Sequence, residues 1–403
     1  MTTSRASLTS PASPTSTAAR TPAPLVIEAT SPADVRAAVL RARGRGLPLT
    51  VQATGHGTLV PPDEGVLLKT SRMARVLIDP SRRAARVGPG ARWSDVIAAA
   101  APLGLAPLSG SHASVGVTGY TLGGGVGWLS RRHGFAADQV LRADVVTAEG
   151  RALTADAARN ADLFWALRGG GGNFGVVTSL EFRLHPVSTV YAGTALFPAD
   201  RAGDILARFR DESAARPDEL TVSITVLDHP RHGRAVAVRA VYAGDASGGH
   251  RALRSLLQAA GPPLQQDFRT MPYAETESLG STPPHHFHLC ADLPDPLIAA
   301  IADSAAPAIE VRHWGGAMSR PPADAGPVGH RDVPYSLTID GTASDAAPLL
   351  PYSTGGSFLN FLHDTSRTAT AYTAENHRRL REIKRIYDPQ NVFHRNHNIK
   401  PGA

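Results

Sequence analysis

The chain has 403 residues, 42% hydrophobic and 19% charged, and this length and balance predict a soluble globular protein of two or three domains. Its 41 basic and 35 acidic residues give a formal net charge of +6, but the basic residues are scattered, which argues against nucleic-acid binding. The single cysteine, Cys290, excludes an intrachain disulfide, and no apolar run is long enough to span a membrane.

Residues 1–20 are mostly Ser, Thr, Ala and Pro with a few Arg. Because they contain no apolar run of the kind found in signal peptides, we predict a disordered leader and a cytoplasmic location. The acid-free composition also suggests organelle import, but no amphipathic apolar stripe accompanies it, so this alternative is the weaker one.

The first ordered elements are predicted to be a strand at 25–27, a helix beginning at 31–34 and a strand at 47–51. At the start of this helix, Ser31 is expected to cap the N-terminus and Pro32 suits the first turn. The negative charge of Asp34 is favourable near the positive end of the helix dipole. The strand at 47–51 leads into a turn with glycines on both sides of His56. A turn of this kind is on its own more often a surface turn than a cofactor site.

Three glycine-rich segments nevertheless lie next to predicted strands, at residues 52–57, 115–128 and 162–177. Glycines let backbone N–H groups approach a ligand closely, and such groups bind phosphate oxygens. In residues 115–128 they alternate with Val, Tyr, Leu and Trp, whereas a flexible linker carries mostly Ser and Gly. The three segments together predict a large phosphate-bearing ligand.

The remaining elements divide the chain into a first part with further strands and a glycine-poor middle part of α+β character. The first part is predicted to hold strands at 65–69, 75–78, 84–87, 143–147 and 176–184 and a helix at 93–100. The middle part is predicted to hold strands at 220–226, 234–242 and 335–339 and helices at 200–210, 251–259 and 297–304. A last helix is predicted at 375–386, ended by Pro389.

The sequence resembles the FAD-linked oxidases of the vanillyl-alcohol-oxidase type, and in particular their berberine-bridge-enzyme-like group. The turn at 52–57 looks like the flavin-attachment loop of that family, and residues 115–128 look like its second glycine loop. Residues 162–177 look like the segment before the end of its FAD domain. Residues 387–393, followed by 396–399, look like its terminal motif.

The resemblance implies an α+β fold with a two-lobed, PCMH-type FAD-binding domain and a substrate domain whose antiparallel sheet covers the flavin. The expected boundaries are 21–188 for the FAD domain, 189–355 for the substrate domain, and 356–403 for a C-terminal segment that returns to the FAD domain.

The resemblance also implies FAD as cofactor, bonded to the protein through His56 alone. The residues expected to contact it are Gln52, Ala53, Thr54, Gly55, His56, Gly57, Val115, Gly116, Gly119, Gly123, Gly124, Gly127, Gly172, Gly175, Val177, Asn396 and Asn398.

Three positions depart from the family pattern. Many relatives carry a second flavin-linking Cys where this chain has residues 111–114, which contain none, and Cys290 is in the other domain. Gln52 stands where many relatives have Arg. Phe358 stands where many have Tyr, which removes one familiar candidate for the catalytic base.

A flavin accepts hydride, and oxidation of an alcohol or amine further needs a base for the substrate proton. The candidates that we consider are Tyr335, Asp340 and Tyr372, with Glu310 and Asp332 as weaker ones. Asp340 ends an apolar strand, where a carboxylate can face a pocket, and Tyr372 precedes the last helix. Each of these residues could instead have a purely structural role, the tyrosines by packing in a core and the aspartates by stabilising a turn.

His286, His288 and Cys290 alternate, so a strand would place them on one face. No second cluster of ligands accompanies them, and we predict no metal site.

The sequence thus predicts an FAD-dependent oxidase that takes hydride from an alcohol, sugar or amine group of a small molecule and passes electrons to oxygen. Neither nucleic acid nor membrane is expected as a partner, and the oligomeric state stays open. An alternative keeps the fold but makes the protein a non-redox cyclase or a binding protein. A nicotinamide-linked dehydrogenase is disfavoured, because it would use one glycine-rich turn between a strand and a helix.

Overall fold

The computed structural model describes residues 24–402, so the leader predicted at residues 1–20 lies outside the described chain. The described residues form three sheets, of which two hold the strands before residue 184 and the third holds the strands between residues 189 and 340. The predicted boundary at 188/189 falls between the last strand of the second sheet and the first strand of the third.

The first sheet is parallel and small. Its strands, in the order β1-β3-β2, are β1 (Leu25–Glu28), β2 (Leu49–Gln52) and β3 (Val66–Lys69). Helix α1 (Pro32–Gly44) begins as predicted, since the Ser31 side chain accepts from Asp34 N and the Asp34 carboxylate accepts from Ser31 N. Its apolar face packs in one core with β2 and β3.

The second sheet is antiparallel, with the strand order β4-β5-β8-β6-β7. Its strands are β4 (Val76–Asp79), β5 (Ala84–Val87), β6 (Val140–Val146), β7 (Ala152–Ala155) and β8 (Val176–Arg183). The helices in this part of the chain are α2 (Trp93–Ala100), α3 (Val117–Leu122), α4 (Ser130–His133) and α5 (Ala161–Leu167). Helix α3 lies inside the second glycine-rich segment, although each glycine in a helix costs about 1 kcal/mol relative to alanine. It contains only one glycine, Gly119, and four of its other five side chains are buried.

The third sheet is antiparallel and has eight strands, in the order β12-β9-β11-β10-β15-β16-β14 with β13 also paired to β9. They are β9 (Thr189–Pro198), β10 (Leu220–His229), β11 (Gly233–Tyr242), β12 (Gln265–Gln266), β13 (Arg269–Pro272), β14 (His286–Cys290), β15 (Ala308–His313) and β16 (Tyr335–Asp340). The helices among them are α6 (Ala202–Glu212), α7 (Ala246–Ala260) and α8 (Asp295–Ala302), followed by the short α9 (Ala343–Ala346). Strands β9 and β15 were not predicted from the sequence.

The two faces of the third sheet differ in chemistry. Helices α6, α7 and α8 cover one face and bury an apolar core that includes Tyr335, Leu337 and Ile339 of β16. Since successive side chains of a strand point to opposite faces, Ser336 and Thr338 point to the other face. That face turns toward the glycine-rich segments.

The C-terminal helix, α10 (Ala374–Tyr387), packs Leu380 and Ile383 into the core of the second sheet. Beyond it the chain runs back along the third glycine-rich segment. Lys384 is fully buried and donates hydrogen bonds to Asp388 Oδ2 (2.6 Å) and to the backbone oxygens of Asn173 and Phe393 (2.8 Å each). The terminal segment is thereby fixed to the third glycine-rich segment.

The α+β fold class with an antiparallel third sheet is thus confirmed. Within residues 24–402, no helix is both long enough and apolar enough to cross a lipid bilayer.

Candidate active site

A cavity of about 670 Å³ lies between the polar face of the third sheet and the glycine-rich segments. All three segments contribute to its wall, and so does the terminal segment through Phe393, Arg395, Asn396 and His397. From the third sheet, Glu310, Arg312, Ser336 and Thr338 line the opposite side. The cavity is within the size range of small-molecule and cofactor sites.

The His56 turn forms one rim of this cavity. Gly55 has a φ of +83°, a left-handed conformation that favours glycine, and it brings the exposed His56 side chain to the cavity wall. Gln52 Nε2 donates to Thr58 Oγ1 (3.2 Å) across the turn. Asn396 Oδ1 accepts from the backbone N–H of Val60 (3.1 Å), so the terminal segment holds the far side of the loop.

The second glycine-rich segment packs directly against the first. A Cβ on Gly116 would lie 2.6 Å from Thr54 Oγ1, and a Cβ on Gly123 would lie 2.6 Å from Asn360 Nδ2. Asn360 in turn bonds the backbone, accepting from Gly125 N (2.9 Å) and donating to Tyr120 O (3.0 Å). At Gly119 a Cβ would meet no atom within 4 Å. Gly116 and Gly123 are therefore required by the close approach of neighbouring residues. The open space beside Gly119 leaves room for a ligand.

Most of the residues expected to contact FAD line the cavity. They are Gln52, Ala53, Thr54, Gly55, His56, Gly57, Val115, Gly116, Gly119, Gly123, Gly172, Gly175, Val177 and Asn396.

Three expected contacts, Gly124, Gly127 and Asn398, are not on the cavity wall. The contact of Asn398 with FAD stays a prediction, and its Oδ1 is buried without a hydrogen-bond partner among the described residues. A Cβ on Gly124 would lie 2.8 Å from the Phe358 ring, and one on Gly127 would lie 1.9 Å from Ser109 O. These two glycines therefore serve the packing of the protein itself.

The three preferred candidates for the catalytic base also lie elsewhere. Tyr335 points to the helix-covered face and its hydroxyl bonds Ser213 Oγ at 2.6 Å. The Tyr372 hydroxyl is buried and donates to Gly169 O (3.1 Å), and burial raises its pKa far above that of a free tyrosine. Asp340, at the end of β16, pairs with His285 Nδ1 (2.8 Å). None of the three lines the cavity, so the structure corrects their placement at the site.

The carboxylate on the cavity wall belongs instead to Glu310, one of the weaker candidates. Its side chain is 5% exposed and pairs with Arg312 Nη2 at 2.7 Å. Both residues are on β15, and their even numbers place them on the polar face of the sheet. The alternation of Ile309 and Val311 with these charged neighbours is the sequence signal that marks such a strand.

The positions that depart from the family pattern are hydrogen-bonded or packed within the protein. His112, in the segment 111–114, lines the cavity, and its Nε2 lies 2.8 Å from Ser281 Oγ. Phe358 is buried with Phe135 and Trp314. Cys290 is buried on the helix-covered face, where burial raises its pKa to about 12. Among residues 24–402, no group of three or more His, Cys, Asp and Glu is arranged to hold a metal ion.

Several polar side-chain atoms of the cavity wall are buried without a hydrogen-bond partner from the described residues. They are Thr50 Oγ1, Thr70 Oγ1, Thr118 Oγ1, Tyr120 Oη, Arg312 Nε, Arg395 Nε and His397 Nε2. Buried polar atoms in native proteins normally have partners, so an extended polar ligand fits this wall. Burial also lowers the pKa of His397 to about 4, so its ring is neutral near pH 7 and Nε2 is free to bond a polar group. The residues present therefore fit a dinucleotide such as FAD.

Comparison with known families agrees with this geometry. Residues 23–156 match the family model described as an FAD binding domain, and residues 357–400 match the one described as berberine and berberine like. The chain is an FAD-dependent oxidoreductase, and its two matched segments are those of the berberine-bridge-enzyme-like oxidases, to which it is similar. FAD is accordingly the cofactor of this oxidoreductase.

Among its relatives is the (R)-6-hydroxynicotine oxidase of Paenarthrobacter nicotinovorans, 29% identical over 94% of this chain and 91% of the relative. A crystal structure of 6-hydroxy-D-nicotine oxidase from Arthrobacter nicotinovorans superimposes with a TM-score of 0.82 at 26% identity, covering 94% of this chain and 92% of that one. A glucooligosaccharide oxidase from Acremonium strictum, at 23% identity and a TM-score of 0.79, shares the fold over 94% of this oxidoreductase and 92% of its own chain.

Proposed function

We propose that this oxidoreductase is an oxidase of a small molecule, in which His56 bonds the flavin covalently, Glu310 receives the substrate proton and dioxygen is the final acceptor. The observation that carries the proposal is the position of Glu310. It is a buried carboxylate on the wall opposite the three glycine-rich segments. A base held at that place faces whatever lies between the sheet and the cofactor loops.

His56 is the residue proposed to bond the 8α-methyl group of the flavin. Its loop is held at both sides, by the Gln52–Thr58 bond and by Asn396, and its imidazole is exposed at the cavity rim. His56 would supply an imidazole nitrogen for a C–N bond in place of its N–H and a methyl C–H, and dioxygen would accept the two electrons and two protons released. The glucooligosaccharide oxidase that shares this fold is named as holding a 6-S-cysteinyl, 8α-N1-histidyl FAD, and only the histidyl bond has a candidate residue here, since residues 111–114 contain no Cys.

Bound FAD supplies a two-electron acceptor for hydride. The residues of the chain provide the other requirements of the oxidation. Glu310 accepts the O–H or N–H proton of the donor while the adjacent C–H leaves as hydride, so the donor loses two electrons and two hydrogens. Dioxygen finally takes two electrons and two protons and becomes hydrogen peroxide.

The donor is an alcohol, sugar or amine group on a molecule small enough for the cavity. Trp314, Phe361 and Leu122 supply apolar surface, and Ser336 and Thr338 supply hydroxyls that can orient a polar substituent. The relative named (R)-6-hydroxynicotine oxidase makes amines the first donors to try.

The first experiment is acid precipitation of the purified holoenzyme and of its His56→Ala variant, with flavin absorbance read in pellet and supernatant. A yellow parent pellet and a colourless variant pellet are expected. His112→Ala is the matched control, since His112 also lines the cavity, and its pellet should stay yellow.

Flavin in the parent supernatant would remove the covalent bond from the proposal. The same preparation is then mixed with alcohols, sugars and amines in the absence of oxygen, and the visible absorbance is followed. Loss of absorbance that returns on admitting air, with peroxide formed, is expected for an oxidase. Reduction that air does not reverse would overturn the choice of dioxygen as acceptor.

A further inference from the structure

The loop that carries His56, residues 53–65, joins strands β2 and β3 without forming a helix or strand of its own. Two backbone hydrogen bonds close turns inside it, and the one nearest to His56, from Thr58 N to Gly55 O, is long at 3.4 Å. A loop with so few internal bonds has many conformations open to it, and contacts from elsewhere must restrict them. The orientation of His56 therefore depends on side chains outside the loop.

Arg395, in the terminal segment, reaches this loop with its guanidinium. Its Nη2 donates to Glu64 Oε1 at 3.0 Å and lies 3.6 Å from Asp63 Oδ1. The Arg395 side chain is 17% exposed and lines the cavity, whereas that of Glu64 is 46% exposed. Arg395 Nε is buried and has no partner among the described residues. Within this part of the chain, the guanidinium is thus bonded to the loop alone.

The terminal segment is a fixed base for this contact. Phe393 is buried in the core that it shares with β2 and β3. On the other side of Arg395, the Asn173 side chain donates to His397 O (2.9 Å) and accepts from Ile399 N (2.8 Å). Because the chain is held on both sides of Arg395, the ion pair restrains the loop and not the terminal segment.

The ion pair and the hydrogen bond from the loop to Asn396 hold two different points of the loop. Asn396 Oδ1 accepts from Val60 N (3.1 Å), and the ion pair holds Glu64, four residues later. Pro61 and Pro62 lie between these points, and the proline ring fixes φ near −65°. The second half of the loop is therefore a stiff stretch that is held at both ends.

We propose that Arg395 is a positioning residue for covalent attachment of the flavin, because its ion pair with Glu64 holds the loop in the conformation from which His56 bonds the 8α-methyl group. This inference rests on the proposed function and adds a residue to it. The stoichiometry is unchanged: the C–N bond replaces the imidazole N–H and a methyl C–H, and dioxygen accepts the two electrons and two protons.

The ion pair is expected to affect bond formation more than stability. A bond between two bound groups forms quickly only when they stay close and aligned, and a displacement of about 1 Å can slow a reaction by about 10²-fold. An ion pair with one partly exposed member contributes little to the free energy of unfolding.

The test follows attachment in the full chain, produced with limiting riboflavin, after FAD is added in air. Flavin in the acid pellet measures the covalent fraction over time, and the dependence on FAD concentration separates the affinity for FAD from the limiting rate of attachment. We expect the limiting rate to fall about tenfold in Arg395→Met and in Glu64→Ala. The double variant should be no slower than Arg395→Met, because both single changes remove the same contact.

Binding of FAD without attachment is measured in a His56→Ala background. Adding Arg395→Met to it should leave the dissociation constant of FAD within about twofold, because the ion pair acts on the loop. Arg385→Met is the matched control, since it removes an exposed arginine of helix α10, and it should attach FAD at the parental rate. Melting temperatures show whether each variant is folded, and Glu64→Ala decides the question if Arg395→Met does not fold.

A parental limiting rate in either single variant, or additive losses in the double variant, would overturn the inference. A weaker affinity for FAD at an unchanged limiting rate would make Arg395 a cofactor contact and would overturn it as well. Failure of the proposed covalent bond looks different, since the flavin of the parent then stays in the supernatant. A yellow parent pellet whose formation Arg395→Met does not slow would remove this inference alone.

Discussion

Glu310 combines two properties that a proton acceptor in a closed site needs. Its carboxylate is almost fully buried, which fixes its position, and it retains an ionic partner in Arg312. Arg312 also stacks over the Trp128 ring, with its guanidinium carbon 4.9 Å from the ring centre, so the partner is itself held in place. The carboxylate is therefore oriented before any substrate arrives.

Replacing Glu310 by Gln keeps the size and the hydrogen-bonding oxygen but removes the ability to take a proton. We expect kcat to fall by about 10²–10⁴-fold, the usual contribution of a general base. The flavin content should not change, because Glu310 is on the sheet side of the cavity. Rapid-mixing measurement of flavin reduction with the identified substrate is the check.

Glu275→Gln, at an exposed carboxylate of the same domain, is the control and should reduce its flavin at the parental rate. Parental reduction kinetics in Glu310→Gln would assign the proton to another group or to solvent.

The sequence predicted which glycines line the cavity better than which carboxylate or tyrosine does, for a physical reason. A glycine beside a ligand or a crossing loop is visible in the sequence because any other residue there would collide, as at Gly116. Which face of a strand looks into a cavity depends on its pairing and on what covers the sheet. Tyr335 and Ser336 are neighbours in the chain, yet only Ser336 reaches the cavity.

At the scale of elements, strand β15 shows where the interpretation of the sequence stopped short. Its alternation of apolar and charged residues is typical of a strand with one buried face, but this strand was not predicted from the sequence. In the fold the charged face meets the cofactor domain. Only the arrangement of the third sheet over the first two could reveal this.

Helix α10 and the segment after it depend on one buried ion pair. Lys384 and Asp388 are both fully buried, and Asp388 also accepts from the backbone N–H groups of Val392 (2.7 Å) and Phe393 (2.9 Å). Burial lowers the pKa of the Lys384 ammonium, and only these fixed partners offset its removal from water.

Lys384→Met leaves the Asp388 carboxylate buried without its cation, and we expect the free energy of unfolding to fall by about 3–5 kcal/mol. Because the terminal segment also holds the His56 loop, we further expect the variant to retain less FAD. Urea unfolding of the holoenzyme, followed by circular dichroism and flavin fluorescence, measures both effects.

Arg378→Gln provides the comparison on the same helix, since it removes an exposed cation 3.9 Å from Glu382. A surface ion pair of this kind contributes little to the free energy of unfolding. The variant should therefore unfold at the same urea concentration as the parent. Equal unfolding of Lys384→Met and the parent would show that the buried pair has no part in stability.

At the scale of the whole molecule, histidines held neutral by burial make stability depend on pH. The pKa values lowered by burial are about 3 for His185 and His313 and about 4 for His133, His288 and His397. His133 and His185 also stack on each other, with ring centres 3.8 Å apart.

Below about pH 6.5 the unfolded chain protonates these histidines, while the folded chain does so only near pH 3–4. Unfolding therefore takes up protons in this window, and the free energy of unfolding should fall as the pH decreases from 7 to 5. Each such histidine adds at most about 1.4 kcal/mol per pH unit.

Urea midpoints of the holoenzyme at several pH values between 7 and 5 test this. His185→Asn should flatten the dependence, and His232→Asn, at an exposed histidine in the β10–β11 turn, should leave it unchanged. A midpoint independent of pH in this range would mean that the buried histidines titrate as they do in water.

The contact between Asn396 and Val60 joins residues 336 positions apart in the chain. During synthesis the ribosome therefore releases the His56 loop long before the segment that holds it, with the entire third sheet in between. Leu380 and Phe393 also belong to the cores of the second and first sheets, so these cores are complete only after the terminal segment has been synthesised. We therefore expect FAD to reach its final position only once that segment has left the ribosome.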